Sequence, residues 1–228
     1  MKVITLDGPA GSGKSTVARL VAAQLGWTYV TTGALYRTLA LLLQRRGKDS
    51  LPVEPDLIQA LVNLMDVSYH QDPQKGTVRL EAEEISSLLA QPAIAQLASI
   101  FAQDPVVRAA LLPLQRKVVT QAHGAIVDGR DMGTVVFPDA PLKIFLTATA
   151  EKRAQRRLEE WNGTKGQRLS FEEALKEIKE RDDRDANRQV APLKPAQDAI
   201  ILDSSQMTPQ AVASFILDEA KQRNLVIL

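Results

Sequence analysis

The run Gly8-Pro9-Ala10-Gly11-Ser12-Gly13-Lys14-Ser15 has the residue types and spacing of a loop that holds phosphate. Its glycines let the backbone curl so that successive N–H groups point into one cavity, and the positive end of the helix that follows adds to that field. A lysine at position 14 can reach β- and γ-phosphates, and the hydroxyl of Ser15 can ligate Mg²⁺. The run stands between the apolar Val3-Ile4-Thr5-Leu6 and the helical pattern from Thr16 to Leu25, the strand–loop–helix context that gives the motif its meaning. A flexible turn with a solvated lysine would need a chance match, with a probability on the order of one per cent in a chain of this length. The expected ligand is therefore a nucleoside triphosphate held by Gly8, Pro9, Ala10, Gly11, Ser12, Gly13, Lys14, Ser15 and Thr16.

Such a loop identifies a phosphoryl donor and leaves the acceptor open. Three further clusters bear on the acceptor. In Thr32-Gly33-Ala34-Leu35-Tyr36-Arg37, Thr32 offers a hydroxyl at a helix start and Arg37 a planar guanidinium suited to bidentate contact with phosphate. Asp128-Gly129-Arg130-Asp131-Met132-Gly133 follows a candidate strand, and ligand crevices in open α/β sheets lie outside the carboxyl ends of strands. In the third cluster, Arg181 to Arg188, helical spacing puts Arg181, Asp185 and Arg188 on one face. Taken alone, that face reads as a solvated surface with i,i+4 ion pairs; the two companion clusters turn it toward a site.

The elements that must position these groups follow an α/β pattern. Nearly continuous apolar runs at Val3 to Leu6, Thr28 to Val30, Ala125 to Asp128, Leu142 to Leu146 and Ala199 to Leu202 predict parallel strands covered on both faces. Helical segments between them predict right-handed crossovers and a doubly wound sheet. Between about 63 and 100 the rhythm breaks. Val67 to His70, Thr77 to Leu80 and Glu83 to Ile85 predict short antiparallel strands, with turn chemistry at Asp72-Pro73-Gln74-Lys75-Gly76. Two charged helices, Glu151 to Trp161 and Phe171 to Asn187, flank the polar break Asn162 to Gln167, which reads either as a mobile lid or as an ordinary helical hairpin.

Composition narrows the class. The 228 residues are 45% hydrophobic and 24% charged, which suits one globular domain or a core domain with an insertion. A formal net charge of +1 gives no bulk attraction for nucleic acid or an anionic membrane. No apolar stretch is long enough to span a bilayer, and the opening residues lack a secretory pattern, so a cytoplasmic protein is expected. The absence of cysteine excludes disulfides and thiolate metal sites, and His70 and His123 read as surface or satisfied histidines.

In order along the chain, the phosphate loop, Thr32 to Arg37, Asp128 to Ala140 and Glu180 to Arg188 resemble the motifs of the bacterial cytidylate kinases. The resemblance runs from Val3 to about Ser204. It implies a P-loop kinase fold with a five-stranded parallel sheet flanked by helices. A single domain would cover 1–228, with a monophosphate-binding region at 33–102, including an antiparallel β-containing insertion at 63–100, and a helical lid at 151–187. It implies ATP as donor, Mg²⁺, and CMP or dCMP as acceptor; with no exposed apolar helix stripe demanding a partner and a near-neutral charge, a monomer without nucleic-acid or membrane partners is expected. Arg37 and Arg130 resemble the clamp on the monophosphate; Thr32, Arg108, Asp131 and Arg188 the cytosine readers; Ser99, Arg181 and Asp185 the sugar contacts. Arg153 and Arg157 resemble lid arginines that close over the donor phosphates, so Lys14, Arg37, Arg130, Arg153 and Arg157 form the implied catalytic set. Ser15 is the implied metal ligand, and Asp128 either holds a water in the metal shell or is structural. Thr31 departs from the pattern, in which an aspartate often stands at that position. Two rival classes remain: a P-loop kinase for another small acceptor such as shikimate or a different monophosphate, and a GTP-binding switch, for which no Asn-Lys-x-Asp segment is found.

Overall fold

A computed structural model describes residues 2–65, 67–69, 78–80, 83–120, 122–162 and 170–226. The chain begins β1 (Val3–Asp7), α1 (Lys14–Leu25), β2 (Thr28–Thr31), α2 (Thr32–Gln44) and α3 (Pro55–Asn63). It continues β3 (Val67–Tyr69), β4 (Val78–Leu80), β5 (Glu83–Glu84), α4 (Ser86–Leu89), α5 (Pro92–Phe101) and α6 (Pro105–Thr120). The last part is β6 (Ala125–Asp128), a π-helical turn (Met132–Val136), β7 (Leu142–Thr147), α7 (Ala150–Asn162), α8 (Phe171–Asn187), β8 (Ile200–Asp203) and α9 (Pro209–Gln222).

The main sheet has five strands in the order β2-β6-β1-β7-β8, all parallel. The apolar runs are sorted by the pleat. Ile4, Leu6, Ile126 and Ile144 face α1 and α9, where they meet Val17, Val21 and Ile216. Val3, Ala125 and Val127 face the other way, onto Val119, Val136 and Phe137. Complete burial of each such Ile or Leu side chain stabilises the fold by about 1.5–3 kcal/mol. Trp27 covers the sheet end by lying over Gly124, where a Cβ would stand 2.4 Å from the indole.

A second core lies beside the sheet. Leu35, Leu39 and Leu43 of α2, spaced four residues apart, pack with Ile58, Leu61, Ile94, Phe101 and Leu111. Leu80 and Ile85 join this core from the three-stranded antiparallel sheet β3-β4-β5. The break in rhythm is thus strand only as far as Glu84; from Ser86 to Phe101 the chain is helical except for a short turn. The strand ends expected at His70 and Thr77, the turn 72–76 and the break 163–167 lie outside the described residues. No single helix among the described residues is long and apolar enough to cross a membrane.

Local chemistry sets several boundaries. Ser170 and Glu173 form a reciprocal capping box that starts α8, and Thr208 caps α9 ahead of Pro209. Helix α1 starts two residues earlier than its apolar pattern indicates, because Gly13 at φ 91° turns the loop directly into the first helical residue, Lys14. Gly8 has the tightest requirement: at φ +145° its missing Cβ would stand 2.0 Å from the carbonyl oxygen of Leu146 on β7. Gly8→Ala is therefore expected to lower unfolding free energy by about 3 kcal/mol or more, read as a fall in the urea midpoint.

Candidate active site

Strands β1 and β6 are neighbours, so the loops that follow them emerge side by side at the carboxyl edge of the sheet. The Gly129 N–H donates to the Leu6 carbonyl at 3.1 Å and joins the two loops at their origin. A cleft of about 380 Å³ opens there, lined by the phosphate loop, the start of α2, α5, the segment 128–131 and one face of α8.

On the donor side the loop is internally braced. Ser12 Oγ donates to the Pro9 carbonyl at 3.0 Å, and Lys14 Nζ donates to the same carbonyl at 2.6 Å and to Ser12 Oγ at 3.2 Å. Burial lowers the Lys14 pKa well below its ordinary value, and nearby Arg130 adds to that shift. A bound anion would offset both by favouring the charged form of Lys14.

On the acceptor side two ion-pair systems stand apart. Asp131, 3% exposed, accepts from Arg108 Nη2 through Oδ2, while Arg188 Nη2 stands 3.5 Å from Oδ1. Arg108 is held from behind by the Ala102 carbonyl at 3.2 Å and by the Tyr36 ring, whose centroid lies 5.6 Å from the guanidinium. Arg188 is anchored through Nε to the Ala191 carbonyl, whereas its buried Nη2 makes no hydrogen bond among the described residues. In the second system Arg130 Nε donates to Asp185 Oδ2 at 2.7 Å. Burial pushes the Asp185 carboxyl up, but Arg130 and Arg181 outweigh it and hold the group below the usual carboxylate range. Arg181 is brought down to about 10 by burial, with Arg130, Arg37 and Arg157 as like-charged neighbours. Four arginines and Lys14 therefore converge where a phosphoryl group would pass.

Thr32 is buried and donates its hydroxyl to the Asp128 carbonyl at 3.0 Å, while Ser99 Oγ accepts from Arg184 Nε at 3.4 Å. Asp128 accepts from the Tyr29 hydroxyl at 3.1 Å, and Arg19 stacks over the Tyr29 ring at 5.5 Å. Burial pushes the Tyr29 pKa well up, and Thr31, beside it at the end of β2, is among the smaller influences that lower it. His123 is exposed and His70 lies outside the described residues.

The structure gathers Lys14, Ser15, Thr32, Arg37, Ser99, Arg108, Asp128, Arg130, Asp131, Arg157, Arg181, Asp185 and Arg188 around the one cleft. Arg153 departs from its expected place over the phosphates. Its guanidinium is engaged by the Ala148 carbonyl at 2.9 Å, the Ala10 carbonyl at 3.2 Å and Asp182 at 2.7 Å, which ties α7 to the loop and to α8. Two residues were missed in the sequence. Arg156 donates to the Ser12 carbonyl at 3.2 Å, to Ser204 Oγ at 3.1 Å and to the Ser204 carbonyl at 2.7 Å, gripping the loop from outside. Asp7 is buried beneath the acceptor segment and accepts the N–H groups of Met132 and Gly133 at 2.8 and 2.7 Å. Burial raises its carboxyl to about 6 despite those two bonds. The helical spacing of Arg153 and Arg156 could have signalled the first; Asp7 carries no local signal beyond standing next to the loop.

A family model for cytidylate kinase matches residues 4–222. A cytidylate kinase of Pseudomonas putida (strain W619) is 48% identical over 226 residues, covering 98% of this chain and 97% of that protein. A cytidylate kinase of Aeromonas salmonicida (strain A449) is 47% identical over 221 residues, covering 97% of this chain and 94% of that protein. With the loop, the paired arginine–aspartate systems and the shared cleft in place, this match over nearly the full length establishes that the chain belongs to the cytidylate kinase family.

Proposed function

We propose that this protein transfers the γ-phosphoryl group of ATP to CMP or dCMP, giving ADP and CDP or dCDP. The observation that carries the acceptor choice is the buried Arg108–Asp131–Arg188 array. Cytosine presents an amino donor beside a ring-nitrogen acceptor and a carbonyl. The Asp131 carboxylate accepts from the amino group, and the Arg188 Nη2, which makes no hydrogen bond among the described residues, donates to the acceptor edge. Uracil puts a carbonyl where cytosine has its amino group, facing the carboxylate, and a repelling or unpaired buried group costs roughly 1–3 kcal/mol or more.

Arg37 and Arg130 would hold the acceptor phosphate, Ser99, Arg181 and Asp185 the sugar, and Thr32 the base edge. Arg181 Nε is buried and makes no hydrogen bond among the described residues, which suits it to an incoming oxygen. Lys14 and Arg157 would hold the donor phosphates, with Arg153 and Arg156 keeping the loop in shape. The acceptor is itself a phosphate, so catalysis needs alignment and charge neutralisation rather than a general base.

Mg²⁺ fits the residues present. Among the described residues no cluster of three or more His, Asp or Glu forms a protein cage, and a hard cation of this kind is usually held by one or two protein oxygens plus substrate phosphates. The Ser15 hydroxyl would supply one, and Asp128, also lining the cleft, would hold a water in the metal shell. When bound, the ion supplies charge neutralisation at the β- and γ-phosphates. The reading also takes 33–102 as the monophosphate-binding region, 151–187 as the lid, and the protein as a cytoplasmic monomer acting on free nucleotides; sedimentation at the mass of a single chain is the check on the last point.

The test is ATP turnover with Mg²⁺ against CMP, dCMP, UMP, AMP, GMP and shikimate, with a control lacking acceptor. Turnover confined largely to CMP and dCMP supports the proposal, and preference for any other acceptor refutes it. Asp131→Ala is expected to cut the CMP:UMP ratio of kcat/KM by about tenfold to a hundredfold; an unchanged ratio removes Asp131 from base recognition. Lys14→Ala is expected to lower kcat by about a hundredfold or more, measured at saturating CMP, and full retention of rate contradicts the donor site.

A further inference from the structure

Asp7 ends β1 and immediately precedes Gly8 of the phosphate loop. It is 4% exposed and does not line the cleft. Its two carboxylate oxygens are engaged by consecutive amides, Met132 N–H at 2.8 Å on Oδ1 and Gly133 N–H at 2.7 Å on Oδ2. Those amides open the π-helical turn that starts directly after Asp131. The far end of the turn is fixed by Arg116, which donates to the Val136 carbonyl at 3.0 Å and the Val135 carbonyl at 3.2 Å. Inward movement is blocked at Gly133, where even a Cβ would stand 3.1 Å from Thr5 Oγ1 and from Lys143 Cδ. The near end, which carries Arg130 and Asp131, is secured to β1 through Asp7.

We propose that Asp7 is a positioning residue for acceptor recognition: its carboxylate ties the residue before the phosphate loop to the amides after Asp131, so that Arg130 and Asp131 keep a fixed relation to the donor. The inference rests on the CMP-kinase reading above. Two parallel N–H donors require two acceptor oxygens on one short side chain, which only aspartate provides at this depth. Asparagine presents an NH₂ to one of the amides, and serine has only one oxygen on a shorter side chain for two amides that meet separate oxygens here. The charge that remains on the group is exposed to Asp131 from the turn and Lys14 from the loop.

Asp7→Asn and Asp7→Ser in the full chain test this through kcat and KM for CMP and UMP, with calorimetric binding of an unreactive ATP analogue. The expected result is a fall of about a hundredfold in kcat/KM for CMP, the scale of a 1 Å misplacement. The loss with UMP should be smaller, so the CMP:UMP ratio drops about tenfold, while the ATP-analogue Kd stays within about twofold. An unchanged ratio, or parallel loss of ATP-analogue binding, overturns the inference in favour of a purely structural carboxylate. Should both variants fail to fold, the unmodified protein provides the readout. Protonation of Asp7 between about pH 8 and about pH 5.5 should lower its CMP:UMP ratio, from which the ionisation common to both acceptor phosphates cancels; a flat ratio overturns the inference. A chain that does not prefer CMP at all sinks the functional reading, whereas a CMP-preferring chain whose Asp7 variants keep that preference sinks this inference alone.

Discussion

Strands β1 and β6 lie side by side and run the same way, with Leu6 opposite Asp128, and everything chemical in the molecule depends on that register. It brings a loop made for polyphosphate and a segment carrying Arg130 and Asp131 out at one edge. A shift of one residue would exchange the faces of β6 and turn Asp128 away from the cleft. The fixing forces are apolar: Ile126 must face α1 and α9, and Val127 the opposite layer. The hydrophobic pleat thereby sets polar geometry that no polar contact could set alone.

Around that edge the protein sustains a concentration of buried charge that opposes folding. Lys14, Arg108, Asp131, Asp185 and Arg188 are all nearly inaccessible to water. Desolvation is the leading influence on Lys14, Arg181, Asp185 and Arg188 alike. Buried pairs of this kind seldom add net stability, and removing one partner leaves the other uncompensated. The cost is carried by two apolar cores, one on the sheet and one among α2, α3, α5 and α6. Function and stability are separated in space: the charges sit at the seam between the cores.

What the sequence disclosed is what local chemistry encodes. The loop, the five parallel strands and the extent of α8 could all be read, because glycine spacing, apolar runs and a charged helical pattern bounded by a polar break are contiguous signals. The Arg130-Asp131 pair could be placed at a strand end by the same reasoning. Relations across the chain could not. Asp7 and Gly133 are 126 positions apart and Arg156 and Ser12 144; Asp7 has no local signal, and the helical spacing of Arg156 with Arg153 shows a shared face without naming Ser12 as its partner. Arg153 shows the converse: its position on α7 was legible, but its commitment to Ala10 and Asp182 depends on how close α7 comes to the loop. That approach is set by Gly11, whose missing Cβ would stand 3.1 Å from Arg153.

The described lining of the cleft contains eight basic side chains, Lys14 and Arg19, 37, 108, 130, 157, 181 and 188, against four acidic ones, Asp128, Asp131, Glu177 and Asp185. That is an excess of four positive charges in a chain whose formal total is only +1, so the residues outside the lining have a small negative balance. A charge distribution of this kind concentrates positive potential at one mouth and draws anions in there. Field lines focused by low-dielectric walls guide a nucleotide before any specific contact forms, over a range limited to about 10 Å at 0.1 M salt. The near-neutral total therefore conceals an electrostatic funnel, and capture speed becomes a property of where the charges lie rather than of how many there are.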